Sequence, residues 1–236
     1  MLFRSDQSTQ PQVGFRKLEL AQDAETYLRL RRLVITRTLG PNMALEVESL
    51  AERINASPSS VYYALTRLVG DNLIARDPTR GHVVQPVDAA ASDDAHDAKL
   101  AIELGAADLT VGKLTEEQLT EFSLLAEATG SHIAAGHFTD VEAYIGANSA
   151  FHGFPITVTG IASLRTAYDR LSLPDLMARA LSTEIDVSDH LIDDHRRLVD
   201  AYRRADLAAA KQIITEHNER AKATQRAGIE RAGGQL

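Results

Sequence analysis

The chain has 236 residues, of which 44% are hydrophobic, and it carries a formal net charge of −8. This length suffices for one large domain or two ordinary ones with sizeable apolar cores. The absence of cysteine excludes disulfides and thiolate metal sites and suits a reducing cytoplasm. No apolar run approaches the roughly 20 residues that span a bilayer, so we expect a cytoplasmic protein without a membrane segment.

Charge is divided unevenly along the chain. Residues 1–86 hold 11 Lys and Arg against 9 Asp and Glu, a net charge of +2, whereas residues 87–236 hold 14 against 24, a net charge of −10. A mildly basic head on an acidic body favours DNA binding confined to the N-terminal portion. Residues 1–14 lack an apolar signal core and are expected to form a flexible arm.

Residues 15–86 predict three helices and a hairpin. Apolar spacing favours an amphipathic helix from Glu25 to Arg37, and a short helix follows from Glu48 to Ile54. Ser57 is then expected to cap a third helix, which has Pro58 at its first position. Two strand-like runs, 73–76 and 82–85, flank a tip that contains glycine. This is the element order of a winged helix-turn-helix.

The second helix of a helix-turn-helix enters the major groove of DNA, and its N-terminal residues reach base edges and phosphates. Here those residues carry hydroxyl groups, which are good but uncharged phosphate ligands. Arginines before and after them would add contacts to the DNA backbone, and the wing would reach the minor groove. The expected DNA-binding residues are Arg53, Ser57, Ser59, Ser60, Tyr62, Tyr63, Arg67, Arg80 and His82.

The rest of the chain predicts a helical body. Small and acidic residues at 87–94 favour a linker, and residues 95–229 show a helical pattern throughout. Abundant alanine and an aromatic content of only 5% favour helices packed through Leu, Ile and Ala. Breaks are expected near 129–130, 153–160, 173–174 and 204–206, and residues 230–236 are expected to form a flexible tail.

Three histidines and an asparagine in this body have the spacing of a metal site. Asn148 and His152 are four residues apart, so a helix places them on one face. His195 and His217 flank Asp206 symmetrically, and two antiparallel helices joined there would hold both imidazoles at one height. Neutral imidazoles favour a divalent transition metal, zinc first and nickel or a similar ion second, over magnesium or calcium.

The other body histidines have no partners at useful spacing. His96, His132 and His137 are therefore expected to be solvated. His190 lies five residues before His195, on a different part of the helix face, and is expected to be adjacent to a pocket at most.

Several short motifs carry a family resemblance: Leu39-Gly40-Pro41, Leu50-Ala51, the run 57–65, Arg67-Leu68, Leu73-Ile74 and Arg80-Gly81. Through them the chain resembles the GntR family of bacterial transcription regulators, in the FadR subfamily with an FCD-type C-terminal ligand-binding domain. The resemblance runs from about residue 15 to residue 229. It implies a mainly α fold, in which the winged helix-turn-helix precedes an all-α antiparallel helical bundle. It also implies a homodimer that binds palindromic operator DNA and responds to a small organic acid.

The recognition helix departs from the family pattern. Relatives usually have arginines where this chain has Pro58 and Tyr62, and an acidic residue where it has Tyr63. A bidentate arginine contact is often worth about 1–3 kcal/mol of base discrimination, so the operator sequence cannot be transferred from relatives. Our hypothesis is that Tyr62 and Tyr63 replace these contacts with hydroxyl groups and with apolar contacts to thymine methyls.

The body matches the FCD pattern at Asn148-Ser149-Ala150-Phe151-His152, Asp194-His195 and Glu216-His217. The family commonly has aspartate at the position of Asn148, which offers a carbonyl oxygen but no charge. An organic acid would fill the coordination positions that three histidines and one oxygen leave open. The resemblance also implies a basic effector-binding residue on the first body helix, for which Lys99 is the candidate, although a solvated lysine is the more common outcome there.

Three alternatives remain at this stage. An enzyme that activates water at the metal would need a positioned base, and Asp193, Asp194 and Glu216 more simply orient imidazoles or face solvent. The metal could instead be the signal itself, or only a structural staple. An apolar effector such as an acyl thioester is known in relatives that lack the complete histidine set, so the set here argues against it.

Overall fold

The computed structural model describes the backbone of residues 11–181, 187 and 190–236, and the side chains from residue 21 onward within these ranges. Contacts divide the chain into two units, Met1–Gln85 and Pro86–Leu236. We call them the head and the body. None of the described helices is long and apolar enough to cross a membrane.

The head contains three helices and a small sheet. Its helices are α1 (Pro11–Ile35), α2 (Val47–Ile54) and α3 (Pro58–Gly70), and its strands are β1 (Ala44–Leu45), β2 (Ile74–Asp77) and β3 (Gly81–Val84). Strand β3 pairs antiparallel with both neighbours, in the order β1-β3-β2. The predicted winged helix-turn-helix is confirmed. Strand β1 was not predicted, because two residues are too few to give a strand pattern in the sequence.

Local chemistry explains the turn between α2 and α3. Asn55 adopts the left-handed conformation, at φ 49°, and ends α2. Ser57 then caps α3, because its side chain accepts a hydrogen bond from the Ser60 amide, and Pro58 occupies the first turn without losing a bond. The buried face of α3 includes Val61 and Leu65, which pack into the head core.

The described residues of the body form helices and one short hairpin. In order they are α4 (Ala89–Thr110), α5 (Glu116–Gly130), the hairpin strands β4 (Ile133–Ala134) and β5 (His137–Phe138), α6 (Val141–Val158), α7 (Ala162–Asp169), α8 (Leu173–Ala180), α9 (His190–Arg203) and α10 (Leu207–Arg231). Helix α10 packs on α4 and α9, α5 packs on α6 and α9, and α4 packs on α6. The predicted helical body is thus confirmed, while the hairpin was not expected.

Aromatic packing fixes the centre of this bundle. Phe122 of α5 stacks on Phe151 and Phe154 of α6, with ring centroids 4.8 and 5.3 Å apart, and meets Tyr202 of α9 edge-on at 5.2 Å. Burial of Phe151 and Ile156 also explains why α6 continues through the predicted break at 153–160 as far as Val158. Tertiary packing here outweighs the helix-breaking tendency of Gly153 and of Pro155.

Several boundaries drawn from composition are wrong. Helix α1 begins at Pro11 rather than near Glu25, so residues 11–14 are helical rather than part of an arm, and residues 1–10 lie outside the described range. Proline is well suited to a first helical position, which favours this start. Residues 89–94 of the predicted linker belong to α4, because Asp88 caps the helix and three alanines follow it.

The predicted flexible tail is also wrong as described. Helix α10 continues to Arg231, and Gly233 and Gly234 then reverse the chain at φ values of 94° and 93°. Leu236 is fully buried and exchanges two backbone hydrogen bonds with Val87, of 3.2 and 2.9 Å. Those hydrogen bonds and the burial of one leucine hold the C-terminal residues against the segment that precedes α4.

Candidate metal centre and nucleic-acid interface

The structure brings three predicted metal ligands together. His152 of α6, His195 of α9 and His217 of α10 are each buried, and their ring centroids are 5.1, 4.9 and 4.9 Å apart. One nitrogen of each ring lies within 4.8 Å of the other two such nitrogens. We call these three residues the histidine cluster.

The turn between α9 and α10 sets the height of two members. Ala205 takes the left-handed conformation, at φ 52°, and Asp206 caps α10 by accepting a hydrogen bond from the Ala209 amide. The chain therefore descends from His195 and returns to His217 over nearly equal lengths. The third imidazole comes from α6, where Phe151 packs against the ring of His195 at 4.2 Å.

An oxygen atom lies near Nδ1 of each imidazole. Glu103 Oε1 lies 2.8 Å from Nδ1 of His152, Thr129 Oγ1 lies 2.9 Å from Nδ1 of His195, and Asp194 Oδ2 lies 3.4 Å from Nδ1 of His217. Such partners are typical around metal-binding histidines, because they fix the ring and its tautomer. Asp194 was expected to orient an imidazole; it lies beside His217 as a charged neighbour, but Nδ1 of His217 has no hydrogen-bond partner among the described residues.

The tautomer of His195 follows from its partner. Thr129 donates its hydroxyl hydrogen to the carbonyl of Ala126 at 2.7 Å, so it can only accept from Nδ1–H of His195. Nε2 of His195 is then the unprotonated nitrogen. Nε2 of His152 and of His195 are buried without a hydrogen-bond partner among the described residues. Lone pairs left bare in this way fit a metal ion, which would satisfy them.

Burial keeps the histidine cluster neutral. Desolvation, followed by the nearby Lys99 charge, lowers the pKa of His152 to about 4. Desolvation is also the main cause that lowers the pKa of His195, well below its ordinary value, and that of His217. Since only a neutral imidazole binds a metal, the cluster is ready for one at neutral pH.

Asn148, the predicted oxygen ligand, lies one turn before His152 and lines a pocket beside the histidine cluster. Its Oδ1 accepts a hydrogen bond from the Tyr144 hydroxyl at 3.3 Å, and its Nδ2 lies 3.8 Å from the sulfur of Met177. A carbonyl oxygen accepts two bonds, so this contact leaves one lone pair for a metal. Its role as a ligand remains a prediction.

Lys99, the candidate effector-binding residue, is buried rather than solvated, which is the less common outcome for a lysine on such a helix. Lys99 is 5% exposed, and its Nζ lies 2.6 Å from Oε2 of Glu103. Glu103 thus bridges Lys99 and His152. Burial raises the pKa of the Glu103 carboxyl, but the Lys99 charge and His152 outweigh it and hold that pKa at about 2. Glu103 was not predicted from the sequence, although its position one helical turn after Lys99 was a usable signal.

A pocket lies beside the histidine cluster. It encloses about 660 Å³ of space free of protein atoms, its open mouth included, and His152 and His217 form part of its wall. His96 lines it as well and is 4% exposed, so the prediction of a solvated His96 is wrong. Its Nδ1 bonds the Ser92 carbonyl at 2.9 Å, which satisfies the buried ring. His132 is partly buried, whereas His137 and His190 are exposed.

In the head, α3 presents an exposed aromatic pair. Tyr62 and Tyr63 are 51% and 49% exposed, and Ser59 is exposed beside the first turn. Ser60 is buried instead, and its hydroxyl lies 2.9 Å from that of Ser57. Among the predicted contacts on α3, Ser60 therefore serves the helix start rather than the exposed face.

The basic side chains that were predicted to contact DNA differ in how far other residues of the head hold them in place. Arg53 is exposed, while Arg67 packs over the ring of Tyr27 at 3.9 Å. Arg80 bonds the Asp77 carboxylate at 3.2 and 3.0 Å, so it helps to hold the wing turn. His82 packs edge-on against Tyr62, with ring centroids 6.1 Å apart, which joins the wing to α3.

Comparison with known proteins identifies the family. The FCD domain model matches residues 94–220, and the model of bacterial regulatory proteins of the gntR family matches residues 22–84. The chain belongs to the GntR family and carries an FCD domain. GntR-family members are transcriptional regulators rather than enzymes, so the enzyme alternative is set aside.

Named relatives agree with this assignment. The chain is 27% identical over 195 residues to an uncharacterized HTH-type transcriptional regulator in an unstable DNA locus of Streptomyces ambofaciens, covering 82% of this chain and 80% of the relative. It is 23% identical over 192 residues to the HTH-type transcriptional regulator YdhC of Bacillus subtilis, covering 81% and 85%.

Solved structures of GntR-type regulators share the fold. McbR/YncC of E. coli superposes with a TM-score of 0.67 at 22% identity, over 86% of this chain and 96% of that chain. Lar, described as controlling the agr system of Listeria monocytogenes, gives a TM-score of 0.64 at 17% identity, over 86% and 95%. At these identities the likeness shows the fold of this GntR-family chain and nothing finer.

Proposed function

We propose that this GntR-family regulator binds palindromic operator DNA as a homodimer and senses a small organic acid beside a transition metal held by His152, His195 and His217. The observation that carries the proposal is the convergence of three neutral imidazoles in the wall of a pocket. Their chemistry fits zinc, with nickel or a similar ion as the next candidate. A bound ion would supply Lewis acidity for a carboxylate oxygen.

The pocket supports an effector in addition to the metal. Structural zinc sites are usually closed by four protein ligands, whereas here two of the three histidines also line open space. Lys99 brings a buried positive charge to the same wall, which favours an anionic ligand. Asn148 is the proposed oxygen ligand, and a carboxylate of the acid would take a position that the protein leaves open.

Helix α4 offers a route from the effector to the head. It carries Lys99 and Glu103, and it begins at Ala89, four residues after the head ends at Gln85. A ligand that displaces the Lys99 ammonium from Glu103 changes the forces on this helix. A coupling of about 1–3 kcal/mol between effector and operator is typical and enough to change operator occupancy.

Operator binding is supported by charge and exposure. The head is net positive and the body strongly negative, and α3 presents Ser59, Tyr62 and Tyr63 to solvent with Arg53 on the preceding helix. A palindromic duplex and a half-site duplex distinguish a dimer from a monomer, because a dimer binds the palindrome with twofold stoichiometry and higher affinity. Equal affinity per half-site would contradict the homodimer.

The first experiment is metal analysis of the purified full chain, followed by thermal denaturation with citrate, lactate and phenylpropionate. We expect about one zinc per chain and a rise in Tm with an acid only in the zinc-loaded protein. His152→Ala should abolish both effects, whereas His132→Ala, outside the cluster, should preserve them. Metal that changes operator affinity without any acid would instead make the metal the signal. Metal that only raises Tm would make it structural.

A further inference from the structure

The pocket has a second polar group of side chains, away from the histidine cluster. His96 of α4 and Gln225 of α10 both line it, at 4% and 2% exposure. We call these two residues the far end. Gln225 lies beyond the residues that match the FCD family model, which end at 220.

Two ion pairs fix the level of the far end. Lys222 bonds Asp97 at 2.7 Å, and Arg226 bonds Asp93 at 3.0 Å, so this stretch of α10 lies alongside residues 93–97 of α4. Gln225 is eight residues after His217, which corresponds to about 12 Å along a helix. Gln225 therefore lies about two helical turns beyond His217 along α10, in the wall of the same pocket.

His96 offers a hydrogen-bond acceptor at the far end. Its Nδ1 lies 2.9 Å from the carbonyl oxygen of Ser92, which can only accept, so Nδ1 carries the hydrogen. Burial lowers the pKa of His96 and keeps the ring neutral, which leaves Nε2 with a bare lone pair. No described residue bonds this Nε2.

Gln225 offers a donor in the wall of the same pocket. Its Nε2 is buried and has no hydrogen-bond partner among the described residues. A buried amide without a partner destabilises the fold, so a ligand group that accepts from it is favoured. Thr224, the neighbouring residue in the wall, needs no such partner because its hydroxyl already donates to the Arg220 carbonyl at 3.1 Å.

The wall between the two ends is mainly apolar. It includes Phe138, Leu173, Met177, Leu181 and Leu191. A polyhydroxylated or multiply charged ligand would lose hydration against these side chains without replacement. A flat ring or a short aliphatic chain fits them, and the thioether of Met177 adapts to either shape.

We infer that the effector is a carboxylic acid with an apolar body and a distal hydroxyl group, which donates to His96 Nε2 and accepts from Gln225 Nε2. A hydroxyl group is the simplest group that does both at one atom. The inference rests on the proposed function for the position of the carboxylate at the histidine cluster. It adds the chemistry of the other end, which sets specificity.

The test uses two matched pairs of acids and the zinc-loaded full chain. Calorimetric titration compares para-hydroxyphenylpropionate with phenylpropionate, and omega-hydroxyoctanoate with octanoate. In at least one pair we expect the hydroxylated acid to bind about tenfold tighter. In Gln225→Met and in His96→Leu that ratio should fall to about one, with affinity for the unhydroxylated acid unchanged within about twofold.

Thr224→Val is the matched control, since it changes a wall residue of the same helical turn and should keep the tenfold ratio. Equal affinities within both pairs in the unaltered chain, or a ratio preserved in both far-end variants, would overturn the inference. If citrate binds the zinc-loaded chain and none of the four acids does, the far-end assignment fails while the proposed function stands. If no acid of either kind binds, both fail.

Discussion

The histidine cluster of the body and the exposed face of α3 in the head represent two ways of building a binding surface. In the body, three rings are buried, and an oxygen atom lies 2.8, 2.9 and 3.4 Å from Nδ1 of His152, His195 and His217. In the head, Tyr62 and Tyr63 are about half exposed, and no described residue bonds their hydroxyls. If both surfaces bind as proposed, the groups in the body are largely oriented before a ligand arrives, whereas those of α3 would acquire their geometry on DNA.

This difference predicts where substitutions should have the larger effect on binding. A preorganised site depends on side chains that never touch the ligand, because they hold the rings and their tautomers. An exposed site depends mainly on the groups that make contact, and each contributes a small share. Effects in the body should therefore be large and indirect, and effects on α3 should be small and direct.

The largest expected effect is loss of the metal on His195→Ala. Removal of one of three imidazoles should lower zinc affinity by at least about a hundredfold, the upper range for loss of a supporting partner. Competition with a chromophoric chelator measures it. His132→Ala is the control and should bind zinc as the unaltered chain does; equal affinity of the two variants would remove His195 from the site.

Thr129→Val tests directly whether an oxygen partner that orients an imidazole contributes to metal binding. The substitution keeps the shape of the side chain but removes the oxygen that accepts from His195, so zinc affinity should fall about 10- to 100-fold. Thr110→Val provides the match, because Thr110 is also buried and also bonds a helix carbonyl, at 2.6 Å, but it has no histidine partner. If both variants bind zinc with equal affinity, orientation of His195 by Thr129 does not contribute to zinc binding.

Gly228→Ala tests how closely α8 and α10 approach each other. A Cβ at Gly228 would lie 2.6 Å from the carbonyl oxygen of Ala180 on α8, so α8 and α10 would have to separate. We expect a loss of about 1–3 kcal/mol in the free energy of unfolding, measured with urea. Gly105→Ala, which meets nothing within 4 Å, should instead stabilise by about 0.5–1 kcal/mol. Destabilisation of similar size in both would contradict the close approach.

Acid should destabilise the metal-free body. Unfolded histidines take up protons near their ordinary pKa of 6.5, whereas buried His152 does so only near 4. The unfolded state therefore binds more protons between these values, and the free energy of unfolding falls as the pH falls through that window. Each such histidine contributes up to about 1.4 kcal/mol per pH unit. Urea titrations in the presence of a chelator measure the slope, and a flat profile from pH 6.5 to 4 would contradict it.

The smallest effect is expected in the head. Replacement of Tyr62 and Tyr63 by Phe removes two hydroxyls and keeps both rings, so operator affinity should fall by about 1–2 kcal/mol at most. Fluorescence anisotropy with operator and scrambled duplexes separates affinity from preference. No change in either would rule out the hydroxyl contacts, whereas a loss well above about 2 kcal/mol would contradict the expectation that effects on α3 are small.

The sequence predicted the convergence of the histidine cluster and the proximity of Asp194 to it, but not the contacts of Glu103 and Thr129. Helical spacing relates Asn148 to His152, and a symmetric turn relates His195 to His217, so local rules suffice for these positions. Thr129 reaches His195 across 66 positions, from a helix whose rotation within the bundle no spacing rule fixes. Such a contact depends on the whole packing arrangement.

Composition misled in a related way at Lys99 and at residues 89–94. A lysine on an amphipathic helix is usually solvated, and its burial here depends on the paired carboxylate of Glu103. Small and acidic residues indicate a linker, but alanines behind an Asp88 cap also begin a helix. Both outcomes were decided by partners that lie elsewhere along the helix or in the fold.

The most direct test of the central claim is visible absorption of the cobalt-substituted chain during titration with para-hydroxyphenylpropionate and with citrate. Bound cobalt reports changes among its own ligands, so it shows whether an acid reaches the metal. We predict one cobalt per chain and a spectrum that changes with saturating acid, with both features absent in His152→Ala. A cobalt spectrum that stays unchanged while an acid demonstrably binds would contradict a metabolite sensor built on the histidine cluster.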